Sequence, residues 1–186
     1  MSLALSNIEQ AVKSLHRGGI IAYPTESVFG LGCDPNNLQA VQNLLDIKSR
    51  PSAKGLIIIA SDIEQLSPWV DFGLVPNLQD IKSSWPGPET WLIPCNNDVS
   101  KLLRGNHTTL AVRVSAHPVV QQLCQQFGGA IISTSANKNG ETAEDDLLSL
   151  QLLFSEQIDC YVKGDVSGND RPSRIRDALS GKLIRA

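Results

Sequence analysis

The sequence predicts an α/β fold: a single domain over residues 1–186, built on a twisted mixed β-sheet flanked by helices, with a ligand cleft. Three observations predict it. Short apolar runs of strand length, such as Ile20–Tyr23, Leu56–Ala60 and Ala130–Thr134, alternate along the chain with segments whose apolar residues recur at helical spacing. The closing pair, Ile175–Leu179 and Lys182–Arg185, is hairpin-like and therefore antiparallel, which makes the sheet mixed. At 186 residues, 41% of them apolar and with no internal repeat, the chain is long enough for one sizeable core.

Each element has its own signal. Ser6 and Glu9 form a capping-box pattern ahead of Ile8, Ala11, Val12 and Leu15 at helical spacing, and Gly18-Gly19 stops that helix. The strand Ile20–Tyr23 breaks at Pro24-Thr25-Glu26-Ser27 and resumes from Val28 to Cys33. Pro24 cannot donate to a sheet ladder and Thr25 and Ser27 leave hydroxyls at the break, so a ligand could sit there. Asp34-Pro35-Asn36 makes a turn, and a helix from Leu38 to about Ile47 leads through a basic loop to the strand Leu56–Ala60, a βαβ-like unit. Ser61 and Glu64 repeat the capping-box pattern for a short helix, Asn77 starts another, and Trp85-Pro86-Gly87-Pro88 must be a loop. Strands follow at Thr90–Pro94, Thr109–Val114 and Ala130–Thr134. The helix between the last two has Pro118 near its start and Gly128-Gly129 at its end. A helix around Leu147–Phe154, a strand near Asp159–Val162, a polar loop from Lys163 to Pro172 and the final hairpin complete the order.

Composition excludes several classes. No apolar run approaches the ~20 residues that span a bilayer, and the N-terminus lacks the pattern of a signal peptide, so a cytoplasmic protein with no membrane partner is the expectation. The four cysteines are widely spaced without a C-x-x-C pair, as expected of buried thiols and not of a zinc site or disulfide framework. Net charge is −3, but residues 163–186 carry six Lys or Arg against three Asp, so a local anion site is compatible where a wholly basic surface is not. There is no G-x-x-x-x-G-K-[ST], no G-x-S-x-G and no H-E-x-x-H, and Pro35 stands where the third glycine of a dinucleotide fingerprint would be. His16, His107 and His117 are isolated and read as surface or cap residues.

Four clusters remain as candidates. Lys48, Arg50 and Lys54 place three cations within seven residues, which suits a carboxylate or phosphate but also a solvated helix end. Ser133-Thr134-Ser135-Ala136-Asn137 closes an apolar strand with three hydroxyls and an amide, as a loop holding phosphate or ribose would, or a turn that satisfies its own backbone. Arg113 interrupts an apolar strand and requires a partner, either a protein acid or an anionic ligand. Arg174 and Arg176 alternate with Ile175 as on a charged, solvated edge strand.

Taken together, Tyr23-Pro24-Thr25-Glu26-Ser27-Val28-Phe29-Gly30-Leu31-Gly32, Lys48-x-Arg50-Pro51, Leu110-Ala111-Val112-Arg113-Val114, Ser133-Thr134-Ser135-Ala136-Asn137 and Pro172-Ser173-x-Ile175-x-Asp177 resemble, in this order and over essentially the whole chain, the YrdC/TsaC family of threonylcarbamoyl-AMP synthases. The resemblance implies a YrdC-like fold and an enzyme that forms threonylcarbamoyladenylate and pyrophosphate from L-threonine, bicarbonate and ATP, for the threonylcarbamoyl modification of adenosine in tRNA. Carried over position by position, it implies that Lys48 and Arg50 are the catalytic cations. It implies an ATP site of Lys48, Arg50, Lys54, Thr109, Ser135, Asn137 and Arg185, and a threonine site of Ser27, Arg113, Ser133 and Ser173. Ile59 stands where the longer members have histidine, Arg174 and Arg176 replace Thr and Val, and the chain ends where those members continue, which suggests the short bacterial form.

The implied chemistry needs no covalent intermediate. Threonine's amine captures CO2 or bicarbonate, and the carbamate oxygen attacks the α-phosphate of ATP, so positioning and charge stabilisation carry the rate. Mg²⁺ on the phosphates is expected from phosphoryl-transfer chemistry, with no protein ligand identified for it. Glu26, the acid inside the first motif, is open as a base, a metal contact, a structural pair or a surface residue. Arg113 is expected to meet the threonine carboxylate and not a protein acid. Implied partners are a downstream threonylcarbamoyl transferase complex and tRNA. The competing expectation is a non-catalytic module for tRNA or double-stranded RNA, whose affinity would fall steeply with salt and ignore threonine.

Overall fold

The computed structural model describes residues 6–137, 146–168 and 173–186. Helices α1 (Ile8–His16), α2 (Leu38–Ile47), α3 (Leu78–Ser84), α4 (Lys101–Arg104), α5 (Pro118–Phe127) and α6 (Leu147–Phe154) alternate with strands β1 (Ile21–Pro24), β2 (Phe29–Gly32), β3 (Ile57–Ala60), β4 (Glu89–Pro94), β5 (Thr109–Val114), β6 (Ile131–Ser135), β7 (Cys160–Tyr161), β8 (Arg174–Asp177) and β9 (Leu183–Arg185). The strands form one mixed nine-stranded sheet in the order β7-β1-β2-β6-β3-β5-β4-β8-β9.

Alternation of side chains along the strands divides the core between two faces. Ala22, Leu31, Ile58, Val112 and Ile132 pack on one face with α2, α3 and α6. Ile21, Tyr23, Ile59 and Ile131 pack on the other with α1 and α5. Both faces are covered, so strands such as Ile57–Ala60 read as unbroken apolar runs.

Several expectations change in detail. The first helix is capped by Asn7 with Gln10, one residue later than Ser6 and Glu9. The interrupted strand is a hairpin: β1 and β2 pair antiparallel, with Pro24 opposite Phe29, so the chain reverses at residues 25–28. The βαβ-like unit has the expected sense, but β6 lies between β2 and β3, antiparallel to both. The segment after Ser61 is only a 3-10 turn, Glu64–Leu66, and the one-turn α4 had no sequence signal. Strand β8 is not an edge. It lies between β4 and β9, and Arg174 and Arg176 both pair with the buried Glu89 on β4, Arg176 Nε at 3.1 Å from Oε2. Period two could place these arginines on one face but could not supply the distant carboxylate. The loop expected from Lys163 to Pro172 lies in part outside the described residues.

Candidate active site

Three chain reversals converge at one end of the central strands. The first is the β1–β2 hairpin, closed by Thr25, whose amide and hydroxyl both donate to the Val28 carbonyl, at 3.2 and 2.6 Å. The second is the end of α2, where Ser49 turns left-handed at φ 48° and the Arg50 amide reaches back to Leu45 O at 2.9 Å. The third is the end of β6, tied to β2 by the Ala136 amide donating to Phe29 O at 2.8 Å. Between them lies a cavity of about 350 Å³.

All four residues assigned to threonine, Ser27, Arg113, Ser133 and Ser173, line this cavity, as do Arg50, Ser135, Asn137 and Arg185 of the ATP set. A second cavity of about 180 Å³ shares Arg50 and Arg185 with it and adds Lys54 and Thr109. The topology explains the meeting: Ser133 on β6 pairs with Ile57 on β3, and Ile59 on β3 with Arg113 on β5, so distant segments become neighbours across three strands.

Lys48 lines neither cavity. It is 3% exposed, and its ammonium donates to the carbonyls of Ser135 and Asn137 and, at 3.3 Å, to Asn137 Oδ1. The Ser135 hydroxyl also donates to Asn137 Oδ1, at 2.7 Å. Lys48 therefore pins the loop that closes the site from below. Burial, with a smaller contribution from Arg50, brings its pKa down to about 8. Arg50 extends the other way, its Nε and Nη2 donating to the Gly55 carbonyl at 3.2 and 2.8 Å.

Three guanidinium groups, Arg50, Arg113 and Arg185, gather at the large cavity. Burial, then Arg185, lowers the pKa of Arg50, and burial, then Arg113, lowers that of Arg185. Each cation thus repels the next in a partly dry site, and an anionic ligand relieves all three. Arg185 Nη2 also donates to Ser173 O at 2.8 Å, and Thr90, fully buried on β4, donates its hydroxyl to Ser173 Oγ at 3.0 Å.

One expectation is corrected. Arg113 does have a protein acid beside it: Nη2 lies 3.5 Å from Glu26 Oε2, with both side chains buried. The hairpin folds the turn back over β5, a contact that strand periodicity does not encode. The ATP and threonine sets also left out Thr25, Gly30 and Thr134, which line the cavity, although the hydroxyls of Thr25 and Thr134 stood out in the sequence at the strand break and in the loop. Motif membership was the available signal for them. A Cβ on Gly30 would lie 3.3 Å from Thr25 Cγ2 and 3.4 Å from Ser133 Oγ, so the glycine leaves room for the ligand. The histidines behave as caps or surface groups; His117 caps α5, with Nδ1 accepting from the Val119 amide. Cys33, Cys124 and Cys160 are buried free thiols and Cys95 is half-buried.

Among the described residues, no group of three or more His, Cys, Asp or Glu could hold a metal ion, and no helix is long and apolar enough to cross a membrane.

This arrangement defines an α/β domain with a cleft lined by three guanidinium groups, and comparison with known proteins gives it a family. The Sua5/YciO/YrdC family model, described as "Telomere recombination", matches residues 13–186. The chain belongs to that family. It is 47% identical over 183 residues to the threonylcarbamoyl-AMP synthase of Photobacterium profundum, covering 97% of this chain and 99% of that one. It is 46% identical over 185 residues to the protein of the same name from Chromohalobacter salexigens, covering 100% of both. Among solved structures it resembles P. abyssi Sua5 complexed with L-threonine, at TM-score 0.84 and 28% identity over 91% of this chain, and E. coli YciO, at TM-score 0.82 and 26% identity over 96% of this chain and 87% of that one. It spans 50% of the threonine-complexed Sua5 chain.

Proposed function

We infer that the chain catalyses the formation of L-threonylcarbamoyladenylate and pyrophosphate from L-threonine, bicarbonate and ATP, as a nucleotidyltransferase. One observation carries this reading: the four residues assigned to threonine, Arg113 among them, share a cavity with two further guanidinium groups, Arg50 and Arg185, and with Ser135 and Asn137. The full-length similarity to proteins named threonylcarbamoyl-AMP synthase supports it.

Each group has a task suited to its position. Arg113 takes the threonine carboxylate, and the hydroxyls of Ser27, Ser133 and Ser173 orient the amino acid beside it. The amine forms an N–C bond with carbon dioxide or bicarbonate, losing a proton or water, and leaves a carbamate. A carbamate oxygen then forms a bond to the α-phosphorus of ATP, while the bond from that phosphorus to the β-bridging oxygen breaks and pyrophosphate departs. Arg50, Arg185 and Lys54 face the phosphates from the two connected cavities and stabilise the charge that builds on the leaving group. Lys48 contributes by fixing the loop that carries Ser135 and Asn137. Among the described residues no group of three or more His, Cys, Asp or Glu stands ready for a resident ion, so a Mg²⁺ would come with the phosphates of ATP and would supply charge neutralisation there.

The product is a reactive mixed anhydride, so the next reaction is a transfer of the threonylcarbamoyl group to an acceptor, here an adenosine of tRNA, through a transferase complex. A cytoplasmic location, where ATP and tRNA meet, goes with this reading. Pyrophosphate release measured with threonine and bicarbonate together, and with each omitted in turn, tests it. Release that requires both is expected; release that ignores threonine would sink the function.

A further inference from the structure

Glu26 is a buried acid that neither the threonine set nor the ATP set uses. Its Oε1 accepts from the Ser115 hydroxyl at 2.6 Å and from the Ala116 amide at 3.2 Å. Its Oε2 lies 3.5 Å from Arg113 Nη2, fully buried and with no hydrogen bond, and Arg113 Nε is likewise buried and unbonded. Two consequences follow from this burial. Oε2 faces Arg113 and not the cavity, so of the roles that the sequence left open for Glu26 the geometry favours the structural pair. A ligand cannot reach Nε either, so a carboxylate must meet Arg113 through its terminal nitrogens. Held by one oxygen at long range, the guanidinium is only partly compensated, and a second carboxylate at its free edge supplies what is missing.

We propose that Glu26 is a positioning residue that aims the terminal edge of Arg113 into the large cavity to receive the carboxylate of the amino-acid substrate. The proposal rests on the functional reading above. Glu26 is itself held by a rigid support. Ser115 is fully buried, its amide donates to Ala60 O at the end of β3 at 3.0 Å, and its Oγ accepts from the His117 amide at 3.1 Å. The line from β3 through Ser115 and Glu26 to Arg113 thus has little freedom to turn, and the cost of orienting the guanidinium is met during folding instead of on binding.

The test measures threonine binding by calorimetry and the KM for threonine and for ATP from pyrophosphate release, with a melting curve for each protein. Glu26→Gln keeps the shape and the bonds to Oε1 but removes the charge facing Arg113. It should weaken threonine binding and raise its KM roughly 10-fold while the KM for ATP stays within about 2-fold, the loss expected of one charge-assisted contact. Glu26→Asp, which restores the charge on a shorter stem, should recover part of that loss. Ser115→Ala should shift threonine in the same direction by less, and decides the matter by the same split if Glu26→Gln does not fold. Equal losses for both substrates with a lowered melting temperature would make Glu26 merely structural, and an unchanged or tighter threonine affinity would also overturn the proposal. Wild-type protein that binds threonine but releases no pyrophosphate would fail the functional reading and leave the threonine affinities to decide on Glu26. Wild-type protein that binds no threonine overturns both.

Discussion

At the scale of single residues, Lys48 and Arg50 stand two positions apart and end on opposite sides of a loop. Ser49 in the left-handed region separates them, sending Lys48 beneath residues 135–137 and Arg50 into both cavities. Alanine at either position should cut pyrophosphate release by at least ~10-fold, since a charged hydrogen bond is worth roughly 1.5–3 kcal/mol. The two losses should differ in kind. Lys48→Ala leaves two carbonyls without their donor and Arg50→Ala only that of Gly55, so the first should lower the melting temperature more than the second. Thermal melts run beside the assay check this. Equal melting temperatures in the two variants would remove the supporting role given to Lys48.

At the scale of elements, the β1–β2 hairpin forms one wall of the cavity because the glycines of β2 let that strand lie close to β6 and to Tyr23 of β1. Gly32 is packed harder than Gly30: a Cβ there would stand against the Ile132 carbonyl oxygen, inside any contact a neighbour could relieve. Gly30 meets only side-chain atoms, the nearest at 3.3 Å. Gly30→Ala should therefore fold and narrow the site, raising the KM for threonine by roughly 5-fold or more, as expected if overpacking against Thr25 and Ser133 costs about 1–3 kcal/mol. Gly32→Ala should instead lower the yield or melting temperature of the protein. Kinetics on the first variant and a melt on the second separate the two, and a Gly30 variant with wild-type kinetics would move the ligand away from this wall.

At the scale of the whole molecule, both faces of the sheet are sealed by helices, and buried thiols record it. Burial raises the pKa of Cys33 and of Cys124 to about 12. A thiol whose folded pKa lies above its unfolded value stabilises the protein fully below the unfolded pKa, about 9, and that contribution is lost as pH rises toward 12. Lys48 acts in the opposite sense: with its folded pKa lowered to about 8, stability rises between there and its ordinary 10.5. A Cys33→Ala/Cys124→Ala variant leaves Lys48 in place, so comparison cancels it. The urea midpoint of the parent should fall more steeply between about pH 9 and 11 than that of the variant. Parallel curves would show that these thiols ionise as readily in the folded state as in the unfolded one.

The α/β class, the places of α2 and α6, the limits of β5 and most of the polar residues around the cavity were legible in the chain, because apolar periodicity, capping and motif order are local properties. Glu26, Arg113, Arg174 and Arg176 were likewise legible as charges whose placement had to be explained. Which partner each one found depended on the packing of distant segments. Glu26 reaches Arg113 across 87 positions of chain, and Glu89 takes both arginines of β8 because β8 pairs with β4 and not with solvent. The division of labour between Lys48 and Arg50 has the same origin. A cation placed near a motif has the same sequence whether it faces the ligand or props the loop that does, and only the packing of β6 over the end of α2 distinguishes the two.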